Sequence, residues 1–101
     1  MNSSFGNIIK SQKPVLVDIF ASCFGPCKVL GPILKEVKES LGERILILKI
    51  DVDKNQQIAS QYQMYGAPTM ILFENGKQLW RQIGVLEKGE IIKVVLEKSS
   101  Q

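Results

Sequence analysis

The stretch PVLVDIFASCFGPCKVLGP, residues 14–32, joins an apolar run to a helical pattern through two cysteines. Residues 14–21 are rich in β-branched side chains and carry a single charge, Asp18, a pattern typical of a strand buried on both faces. Beyond Gly25 and Pro26, apolar residues recur at helical spacing as far as the LGE segment, and Pro32 inside the run should kink the helix. These apolar residues are Val29, Leu30, Ile33, Leu34, Val37 and Leu41. The stretch therefore predicts a buried strand, a short turn and a helix.

Cys23 and Cys27 flank this turn, with three residues between them where the usual redox spacing leaves two. A disulfide needs Cβ atoms about 3.8 Å apart, whereas residues four apart in a helix have Cβ atoms roughly 5–6 Å apart. A Cys23 that bonds to Cys27 must therefore lie outside the helix in a turn, and Gly25 makes that adjustment sterically easy. Three interpretations remain open: a redox-active pair, a single working thiol at Cys27, or two sulfurs that only pack.

Outside this stretch, strand-like and helix-like segments alternate along the chain. We predict a short opening helix near Phe5, a strand over 44–53, a helix over 55–64, a hairpin over 69–84 that turns at Asn75-Gly76, and a last helix over 87–98. The order predicts an α/β architecture in which helices cover both faces of a mixed sheet. With 101 residues, 45% of them hydrophobic, the chain is expected to form a single domain over 1–101.

Composition excludes several classes of function. The formal net charge is +3 without a run of basic residues, so a nucleic-acid partner is not expected. No stretch approaches the roughly 18 apolar residues of a membrane span, and no secretory signal is visible, so we expect a cytoplasmic protein without a membrane partner. Two cysteines and no histidine predict neither a metal site nor a bound cofactor.

Six motifs occur in the order VDIFA, GPCK, LKIDVD, YGAPT, FENGK and IGVLEKGE, and together they resemble the thioredoxin family over essentially the whole chain. The resemblance implies a thioredoxin fold and a monomeric protein thiol–disulfide oxidoreductase. It also implies protein disulfides or dithiols as substrates, and a reductant similar to thioredoxin reductase.

The resemblance breaks at the cysteines. The family pattern Trp-Cys-Gly-Pro-Cys falls without a gap on residues 23–27, which places Cys23 at the tryptophan and Phe24 at the nucleophilic cysteine. Only the second family cysteine is matched, by Cys27. A phenyl ring cannot attack a disulfide, because the nucleophile is a thiolate. Either Cys23 attacks and Cys27 resolves, or the chain is a redox-silent module that binds peptides or partner proteins through the same groove.

The resemblance also implies roles for residues away from the cysteines. A charged Asp18 would be costly to bury, so its pKa should rise, and by resemblance it is the family's proton-transferring aspartate near Cys27. Lys49 resembles the lysine that pairs with this aspartate. The alternatives are an aspartate that reaches water at the strand end and an ordinary edge lysine. The implied substrate surface, which includes a cis-proline at position 68, comprises Phe24, Gly25, Pro26, Ala67, Pro68, Gly84 and Val85.

Overall fold

The fold is known from a computed structural model that describes residues 3–21, 25–61 and 68–99. The helices are α1 (Ser3–Ile9), α2 (Gly25–Leu41), α3 (Gln56–Gln61) and α4 (Lys88–Lys98), and the strands are β1 (Val15–Phe20), β2 (Leu46–Asp51), β3 (Thr69–Glu74) and β4 (Lys77–Ile83). A 3-10 turn, Gly42–Arg44, separates α2 from β2. The strand predicted from residue 44 therefore begins two residues later, because Arg44 completes this turn.

The four strands form one mixed sheet in the order β2-β1-β3-β4. β1 and β2 run parallel and are joined across the sheet by α2, whereas β3 lies antiparallel to both β1 and β4. The predicted hairpin turn is confirmed: Asn75 and Gly76 have φ values of 55° and 82°, as an Asn-Gly turn requires. Their N–H groups donate to the carbonyls of Ser11 and Ile9, which ties the hairpin to the end of α1.

Each face of the sheet packs against two helices. On one face, α2 and α4 enclose a core of Leu16, Leu30, Leu34, Val37, Leu41, Ile45, Met70, Leu72, Ile91 and Val95. On the other face, α1 and α3 enclose Phe5, Ile9, Val15, Val17, Ile19, Ile50, Ile58, Ile71 and Phe73. Because β1 and β3 are covered on both faces, nearly all of their side chains are buried, which explains their near-continuous apolar sequences.

The helical pattern of α2 identified most of its buried face correctly. Leu30, Leu34, Val37 and Leu41 are buried, but Val29 is 55% exposed. Val29 lies beside the row of side chains that faces the core, so it does not contact the sheet although it belongs to the apolar pattern.

Among the residues that the structure describes, no helix has the length and apolar composition needed to cross a bilayer.

Candidate functional site

The first turn of α2 holds the one cysteine within the described residues, Cys27. Pro26 occupies the first turn, where its missing N–H group leaves no helical hydrogen bond unmade. Cys27 is only 8% exposed, and its Sγ accepts a hydrogen bond of 3.4 Å from the N–H of Ala21. The thiol is therefore fixed against the end of β1, while Gly25 and Pro26 remain exposed around it.

Asp18 lies inside β1, opposite Lys49 on β2 and Met70 on β3. It is 2% exposed, and within the described part of the chain its Oδ1 has no hydrogen-bond partner. Burial raises the pKa of Asp18 to about 6, although the positive charge of Lys49 partly offsets this effect. The burial expected from the sequence is thus confirmed, and the alternative of a strand-end aspartate in water is wrong.

One cavity of about 220 Å³ brings these groups together, and it is lined by Asp18, Phe20, Ala21, Cys27, Lys28, Gly31 and Lys49. A carboxylate with a pKa near 6 is mostly ionised at neutral pH and can accept a proton there. The cavity therefore brings a proton acceptor and a thiol together. The sequence analysis gave no role to Lys28, which it used only as the last residue of the GPCK motif, or to Gly31, which carries no local signal of a site.

The side chain of Lys49 reaches α2 at Gly31. A Cβ atom built at Gly31 would lie 3.7 Å from the Nζ of Lys49, within ordinary contact distance. The ammonium group of Lys49 therefore lies beside the backbone of α2, on the helix face turned towards the cavity. From this position it acts on the carboxyl of Asp18 through its charge.

A second group of predicted residues lies at the end of the sheet where β1 finishes. The register aligns Ile19, Thr69 and Ile83 across β1, β3 and β4, so Pro68 and Gly84 extend beyond the same end as Ala21. The N–H of Gly84 donates to the carbonyl of Pro68 at 2.8 Å. Next to this bond, Ile83 is 48% exposed and Val85 37% exposed. These two side chains form an apolar rim, of which the sequence analysis identified only Val85.

Three predicted site residues, Cys23, Phe24 and Ala67, lie outside the described residues. Their roles stay predictions, and so does the cis isomer of the bond between Ala67 and Pro68. Within the described residues there is no group of three or more histidine, cysteine, aspartate or glutamate side chains that could hold a metal ion.

The backbone conformation of Gly84, between Ile83 and Val85, can be tested through the stability of the protein. Its φ of 96° is a conformation that L-residues rarely adopt, so Gly84→Ala should lower the free energy of unfolding by about 1 to 2 kcal/mol. Gly89→Ala is the matched control, because Gly89 lies in α4 with open space around it, and alanine should be neutral or stabilising there. Urea denaturation of both variants measures the difference, and equal stabilities would contradict the strain at Gly84.

The family model described as Thioredoxin matches residues 1–97 of the chain. The chain belongs to the thioredoxin family. It is 46% identical over 94 residues to Thioredoxin Y, chloroplastic, from Oryza sativa subsp. japonica, which is 92% of this chain and 56% of that protein. It is 43% identical to Thioredoxin-like protein slr0233 from Synechocystis sp., over 82% of this chain and 79% of that one.

The solved thioredoxins agree with the sequence relatives. A mutant thioredoxin from Halobacterium salinarum superimposes with a TM-score of 0.88 at 28% identity, covering 98% of this chain and 86% of the other. The chain is 37% identical to the bifunctional thioredoxin reductase/thioredoxin from Mycobacterium leprae, over 90% of this chain and 20% of that protein. The chain thus spans only part of the length of this relative, and 56% of the length of the rice protein. The thioredoxin fold, a mixed sheet covered by helices on both faces, is thereby confirmed.

Proposed function

We propose that this thioredoxin-family chain exchanges dithiols and disulfides with protein substrates through Cys23 and Cys27. The observation that carries the proposal is the shared cavity of Cys27 and Asp18, where a buried carboxyl without a hydrogen-bond partner at Oδ1 lies beside a buried thiol. A buried carboxylate is costly, and a group whose pKa is raised to about 6 in a cavity is suited to proton transfer. Thioredoxins among the relatives support the same reaction class.

The exchange proceeds in two displacements, and each forms one S–S bond while another breaks. The thiolate of Cys23 attacks a substrate disulfide, which gives a mixed disulfide and releases one substrate thiolate. Asp18 accepts the proton of Cys27, and the Cys27 thiolate then attacks the sulfur of Cys23. The second substrate thiolate leaves, so the substrate gains two electrons and the pair is oxidised to a disulfide.

Return to the dithiol form requires a reductant that supplies two electrons. The relative in which a thioredoxin reductase and a thioredoxin form one chain supports a reductase of that kind as the partner. The apolar rim at Ile83 and Val85 would contact the substrate beside the thiols. We also propose that the protein acts as a monomer in the cytoplasm, as the sequence suggests.

A second function is favoured by one specific observation, the phenylalanine at position 24. If the loss of the family nucleophile leaves the chain unable to exchange disulfides, the same rim would bind peptides or partner proteins without chemistry. The fold, the rim and the buried Asp18 are compatible with both functions. The two functions differ in whether Cys23 and Cys27 form a bond with each other.

Mass spectrometry of the alkylated protein tests this difference. After mild oxidation of the monomer, we expect no iodoacetamide adducts, and after reduction we expect two, because the two thiols would have formed an intramolecular disulfide. Cys23→Ser should then leave one adduct under both conditions and abolish reduction of insulin by the protein. Oxidation that gives only dimers, or leaves both thiols free, would contradict the redox pair and support the binding module.

A further inference from the structure

The cavity beside Cys27 provides space that the exchange of protein disulfides does not use. In that exchange Cys27 attacks only the sulfur of Cys23, so no atom of a protein substrate has to enter the cavity. Its volume is about 220 Å³, below the roughly 300–1,000 Å³ of pockets that hold drug-sized ligands. The Sγ of Cys27 is held at this cavity by the N–H of Ala21, at 3.4 Å. The space therefore admits a small molecule next to a fixed thiol.

The polar groups of the cavity match a molecule that both donates and accepts hydrogen bonds. Asp18 is 2% exposed, and its Oδ1 has no hydrogen-bond partner in the described part of the chain. A buried acceptor without a partner is costly, so a bound donor lowers the free energy of this site. Lys28 and Lys49 line the same cavity, and neither forms an ion pair with any described residue, so their ammonium groups can donate to a ligand.

A hydroperoxide is the class of ligand that fits these groups and can react there. Hydrogen peroxide donates through its O–H groups and accepts through its oxygens, and a thiolate that cleaves its O–O bond is oxidised to a sulfenic acid. The carboxyl of Asp18, whose pKa is raised to about 6, is mostly ionised at neutral pH and can remove the proton of the thiol. The cavity therefore combines binding groups, a nucleophile and a base for the reduction of a peroxide.

We propose that Cys27 reduces small hydroperoxides in this cavity, with Asp18 as the group that carries the proton. Asp18 accepts the proton of the Cys27 thiol, and the thiolate attacks one oxygen of hydrogen peroxide. An S–O bond forms while the O–O bond breaks, and the departing hydroxide takes the proton from Asp18 and leaves as water. The ammonium groups of Lys28 and Lys49 stabilise the negative charge that develops on the departing oxygen. The sulfur loses two electrons to the peroxide and becomes a sulfenic acid.

A dithiol returns Cys27 to the thiol form. Its first thiol displaces water from the sulfenic acid and forms a mixed disulfide, and its second thiol attacks that disulfide, which releases Cys27 and the oxidised dithiol. This activity goes beyond the proposed exchange, because Cys27 is here the attacking group and Cys23 takes no part. Each activity can therefore fail in an experiment without the other.

The experiment uses Cys23→Ser, in which Cys27 is the only thiol and the proposed exchange cannot occur. Hydrogen peroxide is added at neutral pH to the folded variant and to the same variant unfolded in urea. Catalase stops the reaction, and the sulfenic acid is labelled with dimedone after unfolding and counted by mass spectrometry. General-base catalysis typically contributes roughly 10²–10⁴-fold, so we expect oxidation of Cys27 to be at least about tenfold faster in the folded protein. Equal or slower oxidation in the folded protein would overturn the proposal.

Asp18→Asn in the same background separates a base from a group that only supports the structure. It should slow the oxidation of Cys27 at least about tenfold, whereas Asp53→Asn, which changes an exposed aspartate, should alter it less than about twofold. With Asp18 present, the rate should rise up to about pH 6 and then change little up to neutral pH. With asparagine it should rise steadily as thiolate forms, since the other charged groups of the cavity, Lys28 and Lys49, are present in both proteins. Two pH profiles of the same shape would overturn the proposal.

Discussion

Asp18→Asn is expected to make the protein more stable at neutral pH and to remove most of the pH dependence of its stability between pH 4 and pH 7. Asp18 is buried within β1, and its Oδ1 has no partner in the described structure, so the ionised carboxylate is costly. The neutral amide of asparagine has nearly the same shape without the charge. We therefore expect a gain in the free energy of unfolding at pH 7, measured by urea denaturation.

The sign of the pH dependence follows from the raised pKa. Between 3.8, the ordinary pKa of the carboxyl, and about 6, its pKa in the folded protein, the folded state binds more protons than the unfolded state. The stabilisation by the protonated carboxyl is complete below pH 4 and is lost as the pH rises through 6. At about 1.4 kcal/mol per pH unit, this amounts to a loss of about 3 kcal/mol by neutral pH.

A matched variant controls for the other carboxylates. Asp53→Asn changes an exposed aspartate, so the free energy of unfolding of this variant should equal that of the parent at every pH. Because Asp18 is also the proposed proton acceptor for Cys27, Asp18→Asn should slow disulfide exchange while it stabilises the fold. If the stability curves of Asp18→Asn and the parent run parallel from pH 4 to pH 7, the carboxyl is not buried as described.

Local patterns predicted the elements of this fold because each element follows a strong rule. The β-branched run of β1, the Asn-Gly turn and the helical spacing of α2 and α4 each favour one local structure. The single charge in an apolar strand also identified Asp18 as a buried group. These inferences use neighbours in sequence, and the structure confirms each of them.

Features that depend on distant parts of the chain could not be predicted in the same way. Gly31 is an ordinary helix glycine in the sequence, and only the parallel pairing of β1 and β2 brings Lys49 beside it. Likewise, Val29 fits the apolar pattern of α2 although it is exposed, since the pattern does not fix how far the sheet extends beneath the helix. The cavity at Asp18 and Cys27 required both the register and the helix placement.

Phe24→Cys is expected to raise protein-disulfide reduction at least about tenfold over a redox-silent parent. Residue 24 immediately precedes the first residue of α2, a helix of 17 residues whose first N–H groups and dipole favour negative charge. A cysteine at such a position commonly has a pKa of about 7 or lower, against about 8.5 for a free cysteine. The thiolate fraction at pH 7 would rise from about 3% to about half. Insulin reduction with dithiothreitol as electron donor measures the change.

The size of this gain distinguishes the two proposed functions. A parent that already reduces disulfides through Cys23 gains little from a new nucleophile, and Cys23→Ser would inactivate that parent but not the Phe24→Cys variant. A redox-silent parent gains strongly, because Cys27, Asp18 and the rim are in place and only the attacking thiolate is missing. Val29→Cys is the matched control, since Val29 is an exposed residue of α2 beyond its first turn, where a thiol should titrate as a free cysteine and add no activity. If the thiol of Phe24→Cys behaves like that control, residue 24 does not occupy the nucleophile position, and the turn before α2 must align with the family in another register.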